Sequence, residues 1–506
     1  MTMAFGGLTI DVLNTSVDQF LAIPYAEPPV GVLRFAKPVP LRHPIQNIID
    51  GTETGNSCMQ LIPDSLKDFF GNLTLSEDCL VLNVWTPHVD RCGLSIQRAP
   101  LKPVMFWIHG GGLVLGSSFQ EMYNGSALTT HDVVVVSVNY RLGHFGFLYG
   151  DREDAPGNVG FYDQSLALKW VRENIHQFGG DRDQITIFGE SGGSISVSAH
   201  ILSPVSKGLF KRAILESGAH MFNKDRDLKT ASEVLTESKQ LAAHLNCSQT
   251  PIEWLECLRQ LDADKLNVAA LTAGPTVGIL GTEFLPVSAH QAFQTKHFNK
   301  DLDVLAGVNQ HEGSLPVSML YPGIPNNLTE IEFYDYAQKF DSMFHNLNAD
   351  NITTFYMSSI NKSDPEAVKW QLYDLFGDLM LNCPTHQFAV NYGQQSAKSN
   401  RTPTTPGPDM FGVTHGDEVA FVFGLPLLYP QKSDTEVDKQ FSRDVMKMWT
   451  DFAKYGKPTV DWPKFIDNKV KDYVPKAKEL NPYKLWHNFH NLFNTTCDGF
   501  WKHYYN

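Results

Sequence analysis

The chain has 506 residues and a formal charge of -14, with 42% hydrophobic and 19% charged residues. So much apolar material at so low a charge density excludes a disordered chain. The acidic balance, with no Lys/Arg run longer than two, argues against a nucleic-acid binder. No apolar run approaches a membrane span; the longest lies near Val133–Val138.

Length alone suggests two domains, but no linker divides the chain, so residues 1–506 are expected to form one α/β unit with insertions. Met1–Phe20 carries Asp11 and Asp18 and lacks a basic start followed by an apolar stretch, so it is no signal peptide. Seven Cys and nine N-x-S/T sites, at Asn14, Asn72, Asn124, Asn246, Asn327, Asn351, Asn361, Asn400 and Asn494, nonetheless suit an oxidising, glycosylating compartment. The expectation is a secreted or secretory-lumen protein whose signal peptide is missing from this sequence. The alternative is a cytosolic protein with idle sites.

The elements follow in order. Val104–Ile108 is a short apolar run after Pro103 and ends in His109-Gly110-Gly111-Gly112. Val133–Val138 is β-branched and too short for a helix. Asp163–Phe178 has helical spacing, with Leu166, Trp170, Val171 and Ile175 on one face, and Gly179-Gly180 stops it. Ile185–Phe188 reads as a strand running into Gly189-Glu190-Ser191-Gly192-Gly193, and Ser194–Leu202 as the helix after it. Ala213–Leu215 and Val304–Ala306 read as further buried strands. Ser396–Pro408, with three prolines, reads as a surface loop, and Phe441–Tyr455 as an amphipathic helix closed by Gly456 and Pro458. Apolar strands with helical crossovers predict a large, mostly parallel sheet with helices on both faces.

Two segments carry chemistry. Gly189 to Gly193 fits the G-x-S-x-G elbow, in which a serine sits on a sharp strand-to-helix turn with its hydroxyl exposed. The pattern alone is weak in a chain with 38 Gly, and an inert glycine-rich turn is the competing reading. His109-Gly110-Gly111-Gly112 matches the H-G-G-G loop of lipases and esterases, whose backbone N–H groups face a developing oxyanion. A nucleotide-phosphate loop fits it poorly, since neither G-x-G-x-x-G nor G-K-[ST] spacing is present. A nucleophilic serine needs a base and an orienting acid, which follow it in the order acid, His. Asn309-Gln310-His311-Glu312-Gly313 and His415-Gly416-Asp417-Glu418 both lie downstream, and spacing alone does not choose among 18 His and 55 acids.

These residues resemble the type-B carboxylesterases, a family that includes cholinesterases and neuroligins, over nearly the whole chain. Phe178 to Gly193 is similar to the family's serine signature. Glu77-Asp78-Cys79-Leu80-Val81-Leu82-Asn83-Val84-Trp85 resembles its second signature, with Val81 where an aromatic is usual. Ile23-Pro24-Tyr25-Ala26, Pro28-Pro29 and Leu33-Arg34-Phe35 resemble its N-terminal strand region. The resemblance implies an α/β-hydrolase fold and a triad of Ser191, Glu312 and His415. It implies oxyanion donors on Gly111, Gly112 and Gly192, with Gly192 where alanine is usual. Glu190 and Ser217 match supporting positions, and Arg141–Asp163 and Arg34–Glu77 match structural ion pairs. It further implies disulfides Cys58–Cys79, Cys247–Cys257 and Cys383–Cys497, with Cys92 unpaired.

The activity so implied is hydrolysis of small-molecule carboxylic esters through an acyl-enzyme, with no metal or organic cofactor. His487 and His490 read as an incidental surface pair. The rival is a catalytically silent adhesion or ligand-binding protein on the same fold, as the neuroligins are; retention of all three triad residues argues for the enzyme. Cholinesterases keep a tryptophan ten residues before the second-signature cysteine, where this chain has Phe69. They also place an aromatic soon after the acid's glycine, where it reads Ser314-Leu315-Pro316. A general carboxylesterase is therefore expected rather than a cholinesterase.

Overall fold

The structure is a computed structural model. It describes residues 5–505 except 42–47, 89–99, 222–227, 248–252, 270–277, 396–399, 402, 406–411, 432–433, 468–469, 471–472, 484 and 486. Cys92 lies outside the described residues, as does part of Ser396–Pro408.

Among the described residues twelve strands build the main sheet. In chain order they are β1 Leu8–Val12, β2 Thr15–Pro24, β3 Val81–Pro87, β4 Lys102–Ile108, β5 Val134–Val138 and β6 Gly180–Glu190. Then come β7 Arg212–Glu216, β8 Asp303–Asn309, β9 Asn400–Arg401, β10 Pro403–Thr405, β11 Lys476–Glu479 and β12 Asn488–His490. The spatial order is β1-β2-β3-β5-β4-β6-β7-β8-β10-β11-β12, with β9 also against β8. The pairings from β5 through β11 are parallel, and those among β1, β2, β3 and β5 and between β11 and β12 are antiparallel. The expected mostly parallel sheet is present.

The central strands are mostly apolar because both faces are covered. Side chains alternate between the faces along each strand. Phe106, Ile108, Val136 and Ile187 join one core with Leu168 and Val171 of α1 Val159–Asn174 and Val197 of α2 Gly192–Leu202. Met105, Trp107, Val135 and Phe188 join the other with Val445 and Trp449 of a later helix, α3 Glu436–Tyr455.

Three expectations shift. The helix expected over Asp163–Phe178 is α1, which begins at Val159, and Ile175–Phe178 continues as a 3-10 turn. Gly160 and β-branched Val159 are weak helix formers, so packing rather than propensity starts it there. The helix expected from Phe441 begins at Glu436, where Thr435 and Asp438 form a capping box. The Ser396–Pro408 stretch is not wholly a loop, because β9 and β10 pair beside β8. Pro403 is tolerated as the first residue of its strand.

The three cysteine pairs implied by the resemblance are disulfides. The ion pairs are multiply bonded, Arg141–Asp163 fully buried and Arg34–Glu77 partly so. Arg141 Nε and Nη2 donate to Asp163 at 2.8 and 2.7 Å. Arg34 Nε donates to Glu77 at 2.7 Å, and its Nη1 donates to the carbonyls of Leu258 and Leu261.

Candidate active site

The site gathers at the carboxyl ends of β4, β6, β7 and β8. In the register of the three last strands Glu190 lies opposite Glu216, and Glu216 opposite Gly307. Ser191 follows β6 directly, with φ +55° and ψ -121°, and α2 starts at the next residue. Such a conformation is costly for a residue with a Cβ and persists only where its surroundings enforce it. The Ser191 N–H donates to the Glu216 carbonyl at 2.8 Å, tying the turn to β7. Gly193 is required by close approach: a Cβ there would stand 2.0 Å from the Ile108 carbonyl oxygen at the end of β4.

The loop after β4 covers the elbow. A Cβ on Gly110 would meet Glu190 Oε2 at 2.7 Å and Ser191 Cβ at 3.3 Å. Gly111 and Gly112 take φ +97° and +62°. The loop is braced by Val114 and Leu115 N–H donating to the Gly111 carbonyl and by Gly143 N–H donating to that of Leu113. The Tyr140 hydroxyl donates to the His109 carbonyl at 2.8 Å, and the His109 ring stacks on Tyr140. Among the described residues the N–H groups of Gly111 and Gly112 donate to no other group. That of Gly192 belongs to the first turn of α2, where no intrahelical acceptor reaches it. These three donors flank Ser191, an arrangement suited to an oxyanion.

Glu312 is 1% exposed and saturated with donors. Ser217 Oγ donates to its Oε1 at 2.5 Å and Asn309 N–H at 2.6 Å, while Oε2 faces His415 Nδ1 at 2.7 Å. That contact fixes the imidazole's orientation and its proton on Nδ1. The opposite nitrogen, Nε2, lies 3.1 Å from Glu190 Oε1. Among the described residues Ser191 Oγ makes no hydrogen bond. Burial pulls the His415 pKa down, but Glu190, Glu312 and Asp417 outweigh it and push it up to about 9.

The candidate residues Ser191, Glu190, Gly111, Gly112, Gly192, Ser217, Glu312 and His415 thus come together. Sequence reading missed the carboxylates behind them. Glu216 Oε1 accepts from Trp449 Nε1 at 2.8 Å, and Glu418 Oε2 from Asn309 Nδ2 at 2.5 Å. Both acids line a small cavity with Ser217, Asn309 and Trp449. Burial pushes Glu190 up to about 7, against the pull of His415, and Glu216 up to about 8, against the Trp449 bond. Burial and neighbouring carboxylates raise Glu418 well above the usual range. Burial thus favours the protonated forms of these carboxyls. Glu216 beside Ser217 and Glu418 three residues after His415 were visible, but their burial was not.

Of the two C-terminal histidines, His487 contacts Glu479 through Nδ1 at 2.5 Å, and His490 ends β12. Among the described residues no group of three or more His, Cys, Asp or Glu side chains is placed to hold a metal ion, and no helix is long and apolar enough to cross a membrane.

Residues 5–490 match the model of the carboxylesterase family. A cholinesterase from Mus musculus is 36% identical over 501 residues, covering 92% of this chain and 80% of the relative. An acetylcholinesterase-1 from Trittame loki is also 36% identical, over 86% of this chain and 81% of its own length. An acetylcholinesterase from Bungarus fasciatus is 33% identical over 98% of this chain and 84% of its own. With an α/β-hydrolase sheet, a family match over nearly all its length and relatives of this similarity, the chain belongs to the carboxylesterase family.

Proposed function

We propose that the protein is a serine carboxylesterase. The observation that carries the reading is the Glu312–His415 contact at 2.7 Å, set beside a serine elbow roofed by the glycine loop. His415 Nε2 takes the proton of Ser191 as Oγ attacks the ester carbonyl, and Glu312 balances the imidazolium. The Gly111, Gly112 and Gly192 N–H groups hold the oxyanion. The C–O bond to the alcohol breaks as His415 protonates the leaving oxygen. Water, deprotonated by the same imidazole, then releases the acid and restores Ser191. Three disulfides and exposed sequon asparagines such as Asn72, Asn327 and Asn361 support synthesis in the secretory pathway.

The relatives' names favour a second reading, hydrolysis of choline esters. A quaternary ammonium requires aromatic faces, each contributing about 0.5–2 kcal/mol. Phe69, at the tryptophan's place, is 60% exposed with its edge against Phe70, and the stretch after the acid's glycine, Ser314-Leu315-Pro316, holds no aromatic. Both features favour uncharged esters. A choline ester and its uncharged isostere of equal acyl length are compared by kcat/KM. Preference for the charged ester by about tenfold or more, some 1.4 kcal/mol, contradicts the carboxylesterase reading.

A further inference from the structure

The acid and the base of the proposed triad stand on different loops, one after β8 and one 103 residues later. Their relative position depends on what joins those loops. His311, next to the acid, joins them twice. Its backbone N–H donates to the Val413 carbonyl at 2.9 Å, and its Nδ1 accepts the Val413 N–H at 3.0 Å. One residue thus takes both backbone groups of Val413, two positions before His415.

Because the Val413 N–H is a donor, His311 Nδ1 must be unprotonated, placing the neutral ring's proton on Nε2. The ring is held on its other side by Trp370, with centroids 4.7 Å apart, from the helix Pro365–Gly377. The loop is shaped around the ring: Gly412 has φ +65°, and a Cβ there would stand 1.9 Å from His311 Nδ1. Further bonds continue the seam. Asn309 Nδ2 donates to the Thr414 carbonyl, and Thr414 Oγ1 accepts from Ser314 Oγ and Leu315 N–H. These hold Thr414, whereas Val413 N–H has His311 as its acceptor.

We propose that His311 is a positioning residue for the hydrolysis, its imidazole acting as the clasp that sets the His415 loop in register with Glu312. It touches neither substrate nor reacting atoms. The inference rests on the serine-hydrolase reading. Losing the acceptor leaves a Val413 N–H unpaired in a half-buried seam, and the loop shifts to find water. His415 needs only a small displacement to lose its alignment with Ser191, since transition-state geometry is intolerant of ångström-scale error.

The test uses the full chain and a p-nitrophenyl ester. His311→Phe keeps a ring against Trp370 without the acceptor, and His311→Asn places Oδ1 near the position of Nδ1. Expected is a fall of about tenfold or more in kcat for His311→Phe and for His311→Ala, with KM changed less than about twofold. His311→Asn should keep kcat within about threefold of wild type. Melting temperatures are measured alongside; if the Phe variant fails to fold, the Ala and Asn pair decides. A Phe or Ala variant at wild-type kcat, or an Asn variant as impaired as either, overturns the clasp while wild-type activity leaves the hydrolase reading standing. Absence of Ser191-dependent hydrolysis in the wild type overturns both.

Discussion

Replacing Glu190 by Gln should move the acid limb of the kcat/KM profile to lower pH. Glu190 Oε1 lies 3.1 Å from His415 Nε2. It is the foremost of the groups that raise the imidazole, which stands at about 9 against burial's downward pull. A full charge at that separation favours imidazolium by roughly 5 kcal/mol at an effective dielectric of about 20. Glu190, raised to about 7, is ionised where the imidazole titrates, but Glu312 still faces the other nitrogen after the change and keeps part of the upward shift. A fall of about one to three pH units is the expected outcome, each unit being 1.36 kcal/mol. The sign follows from which form works: the neutral imidazole is the base, and removing an anion lets it lose its proton at lower pH. Gln keeps the volume, so the sheet end should be undisturbed. The assay is the pH dependence of kcat/KM for an uncharged p-nitrophenyl ester, wild type against variant. An acid limb that stays in place, or moves to higher pH, refutes the coupling between Glu190 and His415.

Gly192→Ala should lower kcat, because a Cβ there would stand 2.9 Å from the Gly112 nitrogen and 3.0 Å from that of Leu113. The glycine loop must retreat by tenths of an ångström. Removing a whole oxyanion donor costs about 10²–10³ in kcat, so a displacement should cost roughly tenfold; an equal or higher kcat contradicts it. Peptide mapping of secreted protein should find glycans at exposed sequons, including Asn72, Asn246, Asn327, Asn351, Asn361 and Asn494. Asn124 should be bare, since its Nδ2 donates to the Tyr429 hydroxyl and its Oδ1 accepts from Ser126 N–H, both at 3.0 Å.

The parts of the fold legible in the sequence were those encoded locally. Val133–Val138 could be read because a strand buried on both faces is a continuous β-branched run, and the elbow because the glycines at 189, 192 and 193 frame a serine in consecutive residues. Helix ends were less legible. Asn158 turns the chain with φ +56° and bonds the Ile279 carbonyl, a partner 121 residues away, before α1 begins. The strands at 400–401 and 403–405 were hidden because Pro403 reads as a loop residue until its strand pairs beside β8. Partners for the serine were beyond periodicity altogether: only the family resemblance singled out Glu312 and His415. The cysteine pairs, too, came from resemblance, since arithmetic leaves their connectivity open. Glu216 and Glu418 went unnoticed because a carboxylate's burial is a property of the packed sheet end, formed by Trp449 and Asn309 from distant segments.

In the proposed mechanism Ser191 is a nucleophile activated by His415 and Glu312. Its most direct test is covalent labelling by an organophosphate, read by peptide mass spectrometry alongside residual ester hydrolysis. One phosphoryl group per chain should appear on Ser191, with activity lost in proportion, and Ser191→Ala should take up no label and hydrolyse at background. Label on a different serine, or undiminished hydrolysis by Ser191→Ala, contradicts the account.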